Sequence, residues 1–262
     1  MPGLRYKTPE EIEKMRAGGR LVRRVLERLR EMVAPGVSTA ELNAEAERIT
    51  AEAGADCLFK GVPSPHGAGP FPAAICASPN DAIVHGIPSE QAVLKEGDIL
   101  SVDFGIRLNG WCGDAAETYA VGEISTEAKK LLDVTRNART IATDMARPGM
   151  MWSDIATTMQ QYVEDAGFSV VRELVGHGIG QEMWEPPSVP NFWQARMRRQ
   201  DFELKEGLVI AVEPMVNVGK ESIRMDKDGW TILTRDGSLS AHFENTLAIT
   251  ADGVDVLTGS AE

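Results

Sequence analysis

Two carboxylates in the middle of the chain are predicted to lie side by side on a β-hairpin. Residues 99–104 alternate in polarity, which predicts a strand with Asp103 on one face. Asn109-Gly110 is the usual two-residue hairpin turn, so the chain should return beside this strand and bring Asp114 close to Asp103. Neighbouring carboxylates can hold cations, although an acidic residue at a strand end is often only part of a turn or of a solvated edge.

The sequence around Asp103 recurs in the second half of the chain. Lys205–Glu213 (KEGLVIAVE) repeats Lys95–Asp103 (KEGDILSVD) 110 residues later, and Glu213 takes the position of Asp103. A Pro-Gly pair followed by a further glycine also occurs twice at the same spacing, beginning at Pro35 and at Pro148. Two matches in the same order indicate an internal duplication of about half the chain. The repeat therefore singles out Asp103 and Glu213 among 39 acidic residues.

Two further residues complete a candidate metal site. His177 stands out because it lies in a glycine-rich turn, Gly176–Gly180 (GHGIG), and the chain has only four histidines. Glu244 lies on a predicted strand near the end of the chain. The candidate set is Asp103, Asp114, His177, Glu213 and Glu244. Four carboxylates and one imidazole suit two hard-to-borderline divalent cations, and in a two-metal site a trapped water becomes a nucleophile near neutral pH.

The composition is that of an ordinary globular protein and excludes several functions. The chain has 27 basic and 39 acidic residues and a net charge of −12, which argues against a surface for nucleic acids or anionic membranes. We expect no signal peptide in residues 1–11 and no segment apolar enough to cross a bilayer. Three unclustered cysteines, Cys57, Cys76 and Cys112, are typical of cytosolic thiols, so we expect a cytoplasmic protein.

The helices and strands that position these residues are predicted to come in blocks. A start signal at Thr8-Pro9-Glu10-Glu11 begins a long amphipathic helix that ends before Pro35-Gly36. Ser38 and Glu41 cap a second helix, which ends at Gly54. The remaining predictions are helices at 127–145 and 152–166, strands at 73–78, 82–85, 168–174, 208–216, 230–234 and 243–250, and loops at 61–72 and 185–199.

This block order predicts an α+β fold. We expect a curved, mainly antiparallel sheet with helices on its outer face and the ionisable residues on its inner face. A single catalytic domain should span residues 1–262. The repeat divides it into two halves, at about 10–123 and 124–257, that are related by a pseudo-twofold axis.

The motifs, taken in order, resemble those of type I methionine aminopeptidases over nearly the whole chain. The matching segments are His85–Pro88 (HGIP), Gly97–Asp103 with Gly113-Asp114, Gly176–Gly180 (GHGIG), Glu213–Met215 (EPM) and Glu244–Thr246 (ENT). The resemblance implies the pita-bread fold and a dinuclear centre of cobalt, manganese, iron or zinc. It implies that Asp114 and Glu244 bridge two ions, that Asp103 holds one, and that His177 and Glu213 hold the other. Glu213 would also be the proton shuttle.

The resemblance also implies residues that contact the substrate. His85 would approach the substrate amide, and Phe71, Cys76, Trp230 and Met183 would line a pocket for the methionine side chain. The chain departs from the family in its substrate contacts. Type I enzymes usually have a second histidine seven residues after the ligand histidine, where Trp184 stands, and usually an aromatic residue just before it, where Met183 stands. The interval from Cys57 to Cys76 is also longer and richer in proline and glycine than is expected of the family. These departures affect substrate recognition and leave the metal ligands unchanged.

The activity implied by the resemblance is removal of the initiator methionine from nascent polypeptides. The enzyme would work near the ribosome as a monomer, with no specific nucleic acid and no membrane as partner. Two alternatives stay open. One is a metallopeptidase of the same fold with Xaa-Pro specificity, although such enzymes usually carry an extra N-terminal domain. The other is a non-catalytic binding module, although such modules lose metal ligands, and all five are present here.

Overall fold

Helices and short antiparallel strands alternate in blocks in the computed structural model, which describes residues 3–65 and 67–259. The helices are α1 (Pro9–Met32), α2 (Thr39–Glu52), α3 (Thr126–Met145) and α4 (Trp152–Asp165), and a 3₁₀ turn spans Ala195–Gln200. The first strands are β1 (Asp56–Cys57), β2 (Ile75–Pro79), β3 (Ala82–Val84), β4 (Ile99–Leu108) and β5 (Trp111–Ala120). The later strands are β6 (Ser169–Val170), β7 (Gly176–Gly178), β8 (Glu185–Val189), β9 (Val209–Val212), β10 (Met215–Asn217), β11 (Ile223–Met225), β12 (Ile232–Thr234), β13 (Ser240–His242), β14 (Asn245–Thr250) and β15 (Gly253–Val256).

The strands fall into four hydrogen-bonded sheets, and every pair of named strands is antiparallel. β4 lies between β1 and β2 and also pairs with β5, whereas the largest sheet has the order β15-β14-β9-β7-β8. Two three-stranded sheets have the orders β13-β10-β6 and β11-β12-β3. Because β3 precedes the main hairpin and β12 comes late in the chain, the last of these sheets joins the two predicted halves. The predicted α+β class is confirmed.

Side-chain capping begins the first two helices where the sequence predicts it. The Thr8 hydroxyl accepts a hydrogen bond from the Glu11 N–H, and the Glu11 carboxylate accepts one from the Thr8 N–H. Ser38 and Glu41 form the same reciprocal pair before α2. These bonds satisfy donors that have no partner in the first turn of a helix. α1 ends at Met32, shortly before the predicted stop at Pro35.

The helices cover the outer face of the strands and leave the other face free to form a site. Leu100, Val102 and Phe104 of β4 are fully buried in a cluster with the apolar side of α1. α1 lies so close to the chain after β15 that a Cβ atom at Gly19 would stand 2.1 Å from the Leu257 carbonyl oxygen. Because side chains alternate along a strand, Asp103 points to the side of β4 opposite α1.

The second half contains more strand than the sequence predicts in some places and less in others. Gly176–Gly178, predicted as a turn, is strand β7, and β8 lies inside the predicted loop 185–199. The predicted strand 208–216 is broken into β9 and β10, because Pro214 has no N–H to continue the ladder. The predicted strand 168–174 is reduced to the two residues of β6. No helix in 3–65 and 67–259 is long and apolar enough to cross a membrane.

Candidate metal centre

One cavity of about 590 Å³ collects the predicted metal ligands and the predicted substrate contacts. Its polar lining includes four carboxylates, here called the acidic cluster: Asp103, Asp114, Glu213 and Glu244. The same cavity is lined by the imidazoles of His85, His177 and His242. The cavity therefore brings together residues that lie as far apart in the sequence as Phe59 and Glu244.

The β4–β5 hairpin places Asp103 and Asp114 diagonally on one face. Its two-residue turn is Asn109-Gly110, and both residues have positive φ, at 51° and 82°, as this type of turn requires. The register pairs Asp103 with Ala116 and Gly105 with Asp114. Residues opposite each other in a ladder share a face, as do residues two apart on one strand. The predicted hairpin and the predicted closeness of its two carboxylates are confirmed.

Glycine at position 105 leaves room beside Asp114. A Cβ atom at Gly105 would stand 3.1 Å from the Asp114 Oδ1 atom and 3.1 Å from the Met183 Cε atom. These distances are shorter than ordinary carbon contacts. The absence of a side chain at Gly105 therefore lets the carboxylate and the wall of the cavity approach each other.

Hydrogen bonds from Glu244 and from the nearby Thr246 hold this segment against the hairpin. The Glu244 N–H donates to the Ala116 carbonyl at 2.8 Å. The Thr246 hydroxyl donates to the Asp114 carbonyl at 2.8 Å and accepts from the Asp114 N–H at 3.3 Å. Glu244 itself lies between β13 and β14 rather than on the predicted strand. These bonds explain how carboxylates from the two halves of the chain meet in one place.

His177 presents a free nitrogen to the acidic cluster. Its Nδ1 atom lies 2.9 Å from the Gly178 carbonyl oxygen, and since a carbonyl can only accept, Nδ1 carries the proton. The Nε2 lone pair then faces the carboxylates, 3.7 Å from Asp114 Oδ2 and 3.8 Å from Glu213 Oε1. Burial lowers the pKa of His177, so the ring is neutral. A neutral imidazole oriented by a hydrogen bond at its other nitrogen is the form that binds metals.

Glu213 directly follows β9 and precedes Pro214. The Asn191 side-chain amide donates to the Glu213 carbonyl at 3.0 Å and fixes the backbone there. The carboxylate has an imidazole near each oxygen: His177 Nε2 lies 3.8 Å from Oε1, and His242 Nε2 lies 3.8 Å from Oε2.

Without a cation, burial and mutual repulsion make the ionised form of the acidic cluster energetically unfavourable. Burial raises the pKa of Asp114 to about 7, although a backbone N–H lowers it in part. Burial, followed by the charges of other cluster members, raises the pKa values of Asp103, Glu213 and Glu244 well above their usual range. Within the described residues, Asp103 Oδ1, Asp114 Oδ1 and Glu244 Oε1 have no hydrogen-bond partner. Buried carboxylates are normally paired with cations, and these three oxygens have no other partner among those residues.

The donor atoms fit a divalent metal. Potential ligand atoms of Asp114, His177 and Glu244 all lie within 4.8 Å of one another. Asp103 and Glu213 line the same cavity but stand outside this tightest group. Carboxylate oxygens with one imidazole suit hard-to-borderline divalent cations.

His85 lines the cavity and has an unusual backbone conformation. Its φ is +60°, which is uncommon for a residue other than glycine. The next residue, Gly86, approaches the Ala77 carbonyl so closely that a Cβ atom there would stand 2.2 Å from the oxygen. Burial lowers the pKa of His85 to about 4. The ring is therefore neutral and has one N–H to donate towards the cavity.

The predicted pocket residues form one apolar wall of the cavity, made of Phe71, Cys76, Met183 and Trp230. Phe71, Cys76 and Met183 are buried. Phe71 and Trp230 make an edge-to-face contact with ring centroids 5.1 Å apart. The sequence did not identify several other lining residues, among them Phe59, Val62, Pro63, Pro65, Leu174 and Pro187. Several of these lie in loops, where no periodic pattern could have identified them.

Trp184 stands at the mouth of the cavity and is 58% exposed. The chain around it is held by a buried ion pair, in which Lys7 Nζ donates to Glu185 at 2.9 Å. Glu185 also accepts from the Glu182 N–H at 3.3 Å. These contacts fix the turn between β7 and β8 and leave the indole free to meet a ligand.

Of the two remaining histidines, one reaches the site. Strand parity with Glu244 puts His242 on the same face, and the structure places it in the cavity wall, buried on β13. His66, in the loop 61–72, falls outside the described residues.

Comparisons with known proteins agree with this geometry. Residues 13–251 match the model of metallopeptidase family M24. The chain is 46% identical over 252 residues to the methionine aminopeptidase of Clostridium acetobutylicum, covering 96% of this chain and 97% of the relative. Methionine aminopeptidase 1 of Bacillus subtilis is also 46% identical, covering 96% of this chain and 98% of the relative.

Solved structures give the same result for the fold. The methionine aminopeptidase of Thermotoga maritima superposes with a TM-score of 0.92 at 39% identity, covering 98% of this chain and 100% of the other. An Xaa-Pro dipeptidase from Bacillus anthracis superposes with a TM-score of 0.76 at 24% identity, and this chain covers only 62% of it. The predicted pita-bread fold is confirmed.

Proposed function

This chain belongs to metallopeptidase family M24, and we propose that it is an aminopeptidase that removes the N-terminal methionine from polypeptides. The observation that carries the proposal is the position of the acidic cluster and His177 directly beside the apolar wall in one cavity. Such a cavity can hold divalent cations next to a bound methionine side chain. The names of the relatives support the same activity.

The five predicted ligands would hold two divalent ions of cobalt, manganese, iron or zinc. Asp114 and Glu244 would be shared by both ions, Asp103 would bind one, and His177 and Glu213 the other. When bound, the ions supply Lewis-acid chemistry: they lower the pKa of water and polarise a carbonyl group. The unpartnered oxygens of Asp103, Asp114 and Glu244 support this assignment.

Glu213 would move the proton of the reaction. A carboxylate oxygen would accept a proton from the attacking water and deliver it to the amine nitrogen that leaves the first peptide bond. Its position supports this role, since it directly follows β9 and lies within 3.8 Å of two imidazoles. His85 would donate its ring N–H to the substrate amide and orient it.

The apolar wall would select the first residue of the substrate. Burying a methionine side chain contributes about 1.5–3 kcal/mol to binding. A flexible thioether also fits against Met183 and against the aromatic pair of Phe71 and Trp230. Trp184 would contact the substrate after its first residue, because the indole stands at the cavity mouth.

We also propose where the enzyme acts. Its substrates would be new polypeptides that emerge from the ribosome in the cytoplasm, and it would act as a monomer. The net charge of −12 supports a protein that binds neither nucleic acids nor anionic membranes directly.

Peptide hydrolysis by the metal-reconstituted protein tests the proposal. Peptides beginning with Met, Leu, Ala and Xaa-Pro should be compared in the presence of manganese or cobalt. We expect cleavage of the Met peptides and little of the others, and Asp114→Asn serves as the matched inactive control. Preference for Xaa-Pro peptides would contradict the specificity, and metal-independent or absent hydrolysis would contradict the activity.

A further inference from the structure

His242 has no hydrogen-bond partner for its ring although it is almost completely buried. Only 1% of the residue is exposed, and both ring nitrogens lack a partner within 3–65 and 67–259. A buried polar group without a hydrogen bond destabilises the folded protein. A residue that served only to fill the core would be better replaced by an apolar one. The ring therefore has a polar role in the cavity that it lines.

The backbone of His242 is held by hydrogen bonds, which place its side chain in the cavity wall. The His242 N–H donates to the Thr118 hydroxyl at 2.9 Å, and this hydroxyl donates to the His242 carbonyl at 2.8 Å. The Ser101 hydroxyl lies 2.8 Å from the Thr118 hydroxyl oxygen. His242 is also paired with Met215 in the ladder between β10 and β13. The backbone at His242 is thus held from the hairpin and from the neighbouring strand together.

The ring of His242 faces Glu213, with 3.8 Å between His242 Nε2 and Glu213 Oε2. The other oxygen, Oε1, lies at the same distance from His177 Nε2. A separation of 3.8 Å is too long for a hydrogen bond, but a side-chain movement of about 1 Å closes it. Catalytic hydrogen bonds are often long in ligand-free structures and shorten in the working complex.

We propose that His242 is a positioning residue for Glu213: its Nε2–H donates to Oε2 and turns Oε1 towards His177 and the metal site. The inference rests on the proposed function, since it assigns a partner to the proposed proton shuttle. Partners behind a ligand or an acid–base group set its orientation and basicity. A neutral imidazole has one N–H, and placing it on Nε2 leaves Nδ1 free as an acceptor.

Two substitutions at the same position separate positioning from packing. His242→Gln keeps an N–H donor at about the same reach as Nε2, whereas His242→Leu removes the donor and keeps an apolar side chain. Calorimetric titration of the metal-stripped proteins with manganese should show a 10–100-fold weaker affinity for His242→Leu, with unchanged stoichiometry. His242→Gln should stay within about threefold of the original protein. Turnover of Met peptides should follow the same order through kcat, with a smaller change in KM.

Any of the following results would overturn the proposal. Loss of one metal equivalent in either variant would make His242 a ligand. Equal affinities in all three proteins, or equal impairment of both variants, would show that the donor is irrelevant. If His242→Leu does not fold, ring-nitrogen NMR of the original protein loaded with zinc decides: a proton on Nε2 supports the proposal, and a proton on Nδ1 overturns it. The titration and NMR results do not depend on hydrolysis, so they remain decisive even if Met peptides are not cleaved.

Discussion

Replacing Asp114 by asparagine should have opposite effects on the metal-free and the metal-loaded protein. Without metal, the buried carboxylate is destabilising above its usual pKa, because folding moves that pKa from 3.8 to about 7. The unfolded chain therefore binds fewer protons than the folded chain between these values. The stability of the metal-free protein should fall as the pH rises from about 4 to about 7 and should stay low above that.

The size of the effect follows from the shift. A change from 3.8 to about 7 corresponds to about 4 kcal/mol at pH 8, at roughly 1.4 kcal/mol per pKa unit. This is a large share of the roughly 5–15 kcal/mol by which proteins are stable. The asparagine side chain of the variant has no charge to bury, and its amide can donate to the neighbouring carboxylates. Metal-free Asp114→Asn should therefore be more stable than the original protein at pH 8 by up to about 4 kcal/mol.

Urea unfolding at pH 5.5 and pH 8 measures this, with and without manganese after removal of metal by a chelator. Metal should stabilise the original protein more than Asp114→Asn. Turnover of the variant should fall by several orders of magnitude, because it lacks a charge that would offset the two proposed dications. The reasoning is refuted if metal-free Asp114→Asn is the less stable protein at pH 8. Near-normal hydrolysis by the variant with added manganese or cobalt would refute the assignment of Asp114 as a shared ligand.

Three further substitutions test separate parts of the cavity. His85→Ala should keep the metal stoichiometry, measured by elemental analysis, and lose about 10²–10⁴-fold in kcat; loss of a metal would make His85 a ligand. Trp184→His should change KM for Met-Ala, Met-Gly and Met-Pro peptides more than kcat, whereas a rise in kcat of about a hundredfold for all three would show that proton chemistry was missing at this position. Gly105→Ala should lower stability in urea unfolding by about 1–3 kcal/mol, since the new methyl group would crowd Asp114 and Met183; an unchanged midpoint would contradict this close packing.

The features that could be predicted from the sequence are those set by local chemistry. The capping pairs at Thr8 and Ser38 and the Asn109-Gly110 turn form hydrogen bonds or backbone angles within a few residues. The turn also fixes the register of the hairpin, which brings Asp103 and Asp114 to one face. A local signal was therefore enough to place half of the acidic cluster.

The features that could not be predicted depend on distant partners. The sequence of β7, Gly-His-Gly, has low strand propensity, yet β8 and β9 provide its hydrogen bonds. β8 contains two prolines, which normally indicate a loop. The approach of His242 to Glu213 brings together two residues that are well separated in the chain, and only the parity of His242 with Glu244 indicated it.

The internal repeat placed Asp103 and Glu213 in equivalent positions, but the structure gives them different surroundings. Asp103 lies inside β4 with paired strands on both sides, at Cys76 and at Ala116. Glu213 follows the last residue of β9, and Pro214 ends the ladder beyond it. A carboxylate inside a three-stranded ladder is held in one place, which suits a metal ligand. A carboxylate at a strand end can move by the roughly 1 Å that a proton transfer or a new hydrogen bond requires. The two positions therefore suit the different roles proposed for them, Asp103 as a fixed ligand and Glu213 as a ligand that also moves a proton.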